Sequence, residues 1–225
     1  MSSFVNNYDL FIFDLDDTLV KTEFFHYSSW INILKQELGN EFYIDFEFFI
    51  SKFHSINSDS IKLYLLNDLG IKNYDNIIQK KNNYYLELII HQRNNIKMID
   101  GAFELLEKII TLNKIFVIVS NSLKSNIDYF SELFPILRKS SKNYYRELFI
   151  NRKPHPECYL KVVEDFPHNR MVGFEDSITG IHAMTQVKNI DTIFINNTNY
   201  YYYNFIIENY KICRTLENYN SIDKL

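Results

Sequence analysis

The chain has 225 residues, 46% hydrophobic and 23% charged, with a net charge of -4. That length and balance allow a sizeable core in one medium domain, with or without a smaller insert. The mild acidity speaks against nucleic acid as a bulk partner.

Two cysteines, Cys158 and Cys213, stand in no metal-type spacing and fit the reduced thiols of a cytoplasmic protein. The start, Met1-Ser2-Ser3-Phe4, lacks the basic residues and apolar run of a signal peptide. No apolar stretch approaches the ~20 residues that a membrane-spanning helix needs. Cytoplasmic location without a membrane partner is therefore the expectation. Composition does not separate a monomer from a weak homo-oligomer.

In chain order, Tyr8 to Phe13 is a short apolar run that ends abruptly in Asp14-Leu15-Asp16-Asp17-Thr18. Such a run predicts a strand buried on both faces, with the acids where it leaves the sheet. From Glu23 to about Ile96 the pattern is helical. Trp30, Ile31, Ile33, Leu34 and Leu38 recur near the helical period, and Gly39 is placed as a C-cap. Further helices are expected at about 46–53, 60–69 and 76–91, giving an all-α insert. The pattern then alternates. Helix 102–112 leads to strand 114–120, helix 125–133, a short third strand at Leu148-Phe149-Ile150, helix 155–166, strand 171–174, helix 177–187, strand 192–195 and a helical stretch near 204–210. Alternating strands and helices predict an α/β fold with a doubly wound, parallel, Rossmann-like sheet. The expected organisation is a core of residues 1–20 and 97–225 and a helical cap of residues 21–96. In such sheets, ligands bind beyond the carboxyl ends of the strands, where Asp14, Ser120, Lys153 and Asp176 all fall.

Asp14 and Asp16, one residue apart past a strand end, repel and call for a cation or a shared proton. Mg²⁺ suits them, because it takes hard oxygen ligands and works with one or two carboxylates plus a substrate phosphate. One carboxylate can accept a phosphoryl group as nucleophile, and the other can serve as general acid and base. Taken alone, the pair reads equally as a solvated acidic turn. Ser120, with Asn121 and Ser122, can cradle a phosphate at a strand-to-helix turn or simply cap the next helix. Lys153, between Arg152 and Pro154-His155-Pro156, can neutralise a transferring phosphoryl group or be a surface lysine. Glu175-Asp176-Ser177 can complete a metal site or interact with a helix dipole. It is their order along one alternating fold that makes the set specific.

The constellation resembles the haloacid dehalogenase superfamily. The resemblance rests on Asp14-Leu15-Asp16-Asp17-Thr18-Leu19, Ser120-Asn121, Lys153-Pro154-His155-Pro156 and Gly173-Phe174-Glu175-Asp176-Ser177. It implies a helical cap inserted after the first motif and attack on phosphorus by Asp14. It also implies Mg²⁺ held by Asp14, the carbonyl of Asp16, and Asp176, with Glu175 close by. Ser120 and Lys153 would bind phosphoryl oxygens. True dehalogenases of the superfamily lack the second aspartate, so Asp16 points to phosphoryl transfer.

Thr22, His26 and Trp30 are similar to the segment entering the cap of β-phosphoglucomutases and their phosphatase relatives. Lys81 matches a cap lysine that works with that histidine in coupling cap closure to acid/base function, although His26 also reads as an ordinary core histidine. The expected cap is a lid hinged near residues 20–22 and 94–98. Two departures favour a phosphatase over a sugar phosphomutase. The loop from Phe53 to Asp59 has no arginine to grip a distal phosphate, and Leu123 stands where a lysine is expected. A small phosphate ester, such as a sugar phosphate, is the expected substrate. A catalytically inactive binding module is the third reading.

Overall fold

The structure is a computed structural model and describes residues 4–54, 58–167, 169–197 and 202–222. Its chain order is β1 (Leu10–Phe13), α1 (Glu23–Leu38), α2 (Phe46–Lys52), α3 (Ser58–Asn67), α4 (Tyr74–His91), α5 (Ala102–Thr111) and β2 (Ile115–Val119). It continues through α6 (Lys124–Leu133), β3 (Lys142–Tyr144), α7 (Glu157–Asp165), β4 (Met171–Glu175), α8 (Ile178–Thr185), β5 (Ile190–Ile195), α9 (Tyr203–Asn209) and β6 (Arg214–Leu216). The chain divides into two compact units, residues 1–21 with 97–225 and residues 22–96.

In the first unit all six strands form one sheet in the order β3-β2-β1-β4-β5-β6, and every pairing is parallel. β1 lies between β2 and β4, and every residue of β1 and β4 is buried. Central parallel strands are covered on both faces, which is why they read as unbroken apolar runs. Side chains alternate across the sheet. Leu10 and Ile12 join Val117, Tyr159, Val162 and Met184 in one apolar cluster. Phe11 and Phe13 point to the opposite face, where Phe13 stacks on Phe174 at 4.7 Å and Tyr219 lies 5.5 Å from Phe174.

The predicted third strand at 148–150 is not formed. Residues 146–148 make a turn of 3-10 helix, and Ile150 is 92% exposed. The third strand is Lys142–Tyr144 instead, at one edge of the sheet, and a sixth strand closes the other edge. Both are three residues long with only the last residue buried, so neither shows the apolar run that marks a central strand.

The second unit holds α1 to α4. α1 ends where Gly39 takes a φ of 107°, a region that favours glycine. Asp45 caps α2 by accepting from the Phe48 amide at 2.7 Å, and Asn73 caps α4 from Asn76 at 3.2 Å. α1 packs on α4. The interior is aromatic: Trp30 lies 4.6 Å from Phe53, and Phe49 stacks on Phe53. Phe25, Phe49 and Phe53 are buried, while Phe24 is exposed. Three residues of the loop that lacks the expected arginine, 55–57, lie outside the described residues. Among the described residues, no helix is long and apolar enough to cross a membrane.

Candidate active site

The ends of three adjacent strands, β2, β1 and β4, carry the site. Asp14 follows β1, and its amide donates to the Phe174 carbonyl at 3.0 Å, so its backbone is still pinned to β4. Glu175 ends β4 and Asp176 follows it. Among the described residues, Asp14, Glu175 and Asp176 form the one cluster of three acidic side chains with oxygens within 4.8 Å of one another. All three are buried.

Lys153 reaches this cluster from the loop before α7. Its ammonium donates to Asp14 Oδ1 at 2.7 Å, Glu175 Oε1 at 2.5 Å and the Val119 carbonyl at 2.8 Å. Its loop is held by a reciprocal pair. Asn121 Nδ2 donates to the Lys153 carbonyl at 3.3 Å, and the Lys153 amide donates to Asn121 Oδ1 at 3.2 Å. Asn121, predicted to bind substrate, is thereby seen to position the lysine loop.

Burial disfavours the Lys153 charge, but Asp14 and Glu175 outweigh it and hold the ammonium above the usual lysine range. Burial pushes the Asp14 carboxyl well up, with Glu175 and Asp16 adding to the rise and Lys153 opposing it. Three carboxyl groups share one ammonium, so acids outnumber bases in the cluster. An oxygen-only donor set with that excess fits a hard divalent cation such as Mg²⁺.

Asp16 lies apart from that cluster. Its Oδ2 accepts from Ser122 Oγ at 2.5 Å and from Ser120 Oγ at 3.5 Å, and Ser120 Oγ in turn accepts from the Ser122 amide at 2.9 Å. Asp17, next in the turn, has a φ of 55°, a left-handed conformation that aspartate tolerates better than most residues.

Sequence reasoning missed several supporting groups. Thr18 Oγ1 donates to Asp176 Oδ1 at 3.1 Å, and the Tyr219 hydroxyl donates to the Thr18 carbonyl at 3.0 Å. Tyr159 donates to Glu175 Oε1 at 2.5 Å. Thr18 sits inside the acidic motif and was legible as a neighbour. Tyr159 and Tyr219 carry no local signal, since they arrive from other parts of the chain.

Thr22, His26 and Lys81 belong to the helical unit. Lys81, 7% exposed, places its Nζ 2.8 Å from His26 Nδ1, and His26 stacks on Tyr85 at 4.2 Å. A lysine ammonium only donates, so in this contact His26 Nδ1 is placed as the acceptor. His54 Nδ1 pairs with the buried Glu23.

Solved structures of the same fold cover nearly the whole chain. A haloacid dehalogenase family hydrolase, family IA variant 3, from Entamoeba histolytica is 21% identical, with 95% of this chain and 94% of that one aligned and a TM-score of 0.78. A predicted phosphoglycolate phosphatase from Haemophilus somnus is 18% identical, covering 96% and 97%, with a TM-score of 0.77. A β-phosphoglucomutase from Clostridium difficile is 23% identical, covering 95% and 92%, with a TM-score of 0.72. No curated protein is similar enough in sequence to count as a match. The profile of one family spans residues 11–195, from β1 to the end of β5. With that match over most of its length and the acid, hydroxyl and lysine motifs in family order, the chain belongs to the haloacid dehalogenase-like hydrolases.

Proposed function

We propose that the chain is a Mg²⁺-dependent phosphatase of small phosphorylated metabolites, with sugar phosphates as the favoured substrate class. The observation that carries this reading is the buried contact of Lys153 with Asp14 inside an all-carboxylate cluster. Family membership, and phosphatase and phosphomutase names among its structural likenesses, support it.

Asp14, the Asp16 carbonyl and Asp176 would hold Mg²⁺, with Glu175 beside them. When bound, the ion would offset the charge of the phosphoryl group. Asp14 attacks phosphorus, and the bond from phosphorus to the ester oxygen breaks. Asp16, within reach of Ser122 and Ser120, protonates the departing oxygen. Water then attacks the aspartyl phosphate and gives its proton to Asp16. The phosphorus–Asp14 bond breaks, releasing phosphate and restoring the Asp14 carboxylate. Lys153 neutralises phosphoryl charge throughout, at low cost in reorganisation because three acceptors already fix it. Ser120 and the backbone N–H groups after β2 hold a phosphoryl oxygen.

The test is turnover of a panel of phosphorylated metabolites with Mg²⁺ and with excess chelator. Turnover is expected only with the metal, and Asp14→Asn should lower it by at least about 10³-fold. A wild-type protein inert across the panel would leave the binding-module reading. With β-glucose 1-phosphate and a bisphosphate primer, free glucose is the expected product, and accumulation of the 6-phosphate would identify a mutase instead.

A further inference from the structure

Glu175 is completely buried, and three donors converge on it. Lys153 Nζ and the Tyr159 hydroxyl both reach Oε1 at 2.5 Å, and Ser177 Oγ reaches Oε2 at 3.2 Å. A fourth side of the carboxylate is bounded by Gly180 in the first turn of α8. A Cβ built on Gly180 would lie 2.0 Å from the Glu175 carboxyl carbon and 2.1 Å from each of its oxygens. That separation is far inside van der Waals contact, so the carboxylate occupies space that only glycine leaves open. The ring of Tyr159 also lies beneath the lysine, with Nζ 5.2 Å from its centroid. One helix thus brings a hydroxyl and an aromatic face, and another brings a gap.

A lysine stem has four rotatable carbons and no rigidity of its own. What points its ammonium at Asp14 is the set of acceptors around it, and Glu175 is the one that must itself be held. We propose that Tyr159 and Gly180 are positioning residues, forming a socket that fixes Glu175 so that Glu175 in turn fixes Lys153 against Asp14. Without the Tyr159 hydroxyl, Glu175 Oε1 keeps only the Lys153 ammonium as donor in a fully buried site, and nothing on the α7 side fixes the carboxylate's rotation. Burial, with Glu175 close by, keeps the Tyr159 hydroxyl well above the usual tyrosine range, so it remains a donor at neutral pH. The functional part of this inference rests on the phosphatase reading, whereas the geometric part does not.

The experiment compares the full-length wild type with Tyr159→Phe, using p-nitrophenyl phosphate and Mg²⁺, together with melting curves and crystal structures of both. The expected result is a fall in kcat of about tenfold or more, a range typical for groups that orient a site from behind it. KM should stay within about twofold, with little change in Tm. In the variant crystal, Glu175 should have turned away from Gly180, with Lys153 Nζ out of hydrogen-bond reach of Asp14. Should Tyr159→Phe fail to fold, Gly180→Ala takes the same measurements and should displace the same carboxylate. The proposal is overturned by an unchanged kcat with Lys153 still on Asp14, or by a loss of activity that only tracks the loss of folded protein. If the wild type hydrolyses no ester, the phosphatase reading fails separately, and the position of Lys153 in the two crystals still decides whether the socket exists.

Discussion

In the helical unit, Lys81 meets the His26 ring and His54 meets Glu23, so the buried Lys81 and Glu23 each have a close polar counterpart. In the sheet unit, Lys153 is shared by Asp14 and Glu175, and Asp176 adds a further carboxylate to the same cluster. The first arrangement pairs one basic or acidic group with one imidazole each time and sits among aromatic side chains. In the second, acids outnumber bases, on backbone that the parallel ladder holds fixed. Buried charge costs several kcal/mol unless it is paired, so the sheet unit holds an imbalance that a bound cation would relieve. Chemistry is concentrated where the backbone is most constrained.

The largest expected effect removes the shared cation. Lys153→Met should abolish turnover and, measured without Mg²⁺, lower stability by about 3–5 kcal/mol, because it strands two buried carboxylates. A loss under about 1 kcal/mol in denaturant unfolding would mean that Asp14 and Glu175 do not depend on the lysine, and the contrast between the units would break.

Deleting one methyl group from each interior gives a more balanced comparison. Ile89→Val in the helical unit and Ile12→Val in the sheet unit, both fully buried, should each cost about 1 kcal/mol. Trp30, the single tryptophan, reports on the helical unit, and Cys158 reports on the sheet unit. Burial pushes the Cys158 thiol up to about 12, so in the folded state it should resist a maleimide that labels the exposed Cys213. Ile12→Val should speed Cys158 labelling about fivefold and leave the Trp30 fluorescence midpoint unmoved, with Ile89→Val doing the reverse. Coincident shifts would show one cooperative block.

The smallest effect lies at the sheet's entry edge. Hydrogen bonds from Arg170, and then Lys114, hold the Asp9 carboxyl well below the usual carboxylate range. Its stabilisation is therefore fully present above the unfolded pKa of about 4 and fades as pH falls through the lower folded value. Asp9→Asn should lower Tm slightly at pH 7, less so in high salt, because the side chain is 38% exposed. The two proteins should converge in strong acid, and a difference that grows as pH falls would contradict the assignment.

What could be read in advance follows from the same contrast. Asp14 and the Glu175-Asp176 pair were legible because a fully buried strand is an apolar run, and its end shows as a sudden acid. The outer strands were not, since Lys142–Tyr144 and Arg214–Leu216 are three residues long with only their last residue buried, and resemble loop. Leu148-Phe149-Ile150 misled for the converse reason: it is apolar, yet Ile150 stands in water. The long helices of the insert showed through their 3.6-residue period. The roles of Tyr159 and Gly180 were invisible, because each is defined by contact with a carboxylate brought from another part of the chain. Ser122, noted only as a neighbour of Ser120, bonds the predicted acid/base group for the same reason.

The two passages of chain between the units lie side by side. Ile99 donates its amide to Leu19 and Lys21 donates to Lys97, both at 2.9 Å, and Val20 bridges Met98 in antiparallel register. Such a ladder is the stem of a hairpin, whatever joins its open end. A two-residue Asn-Gly turn in place of residues 22–96 would close that stem in the same register. The insertion thus enters and leaves through one paired doorway, and the strand ends that hold the acids have a register set by the sheet's own ladder.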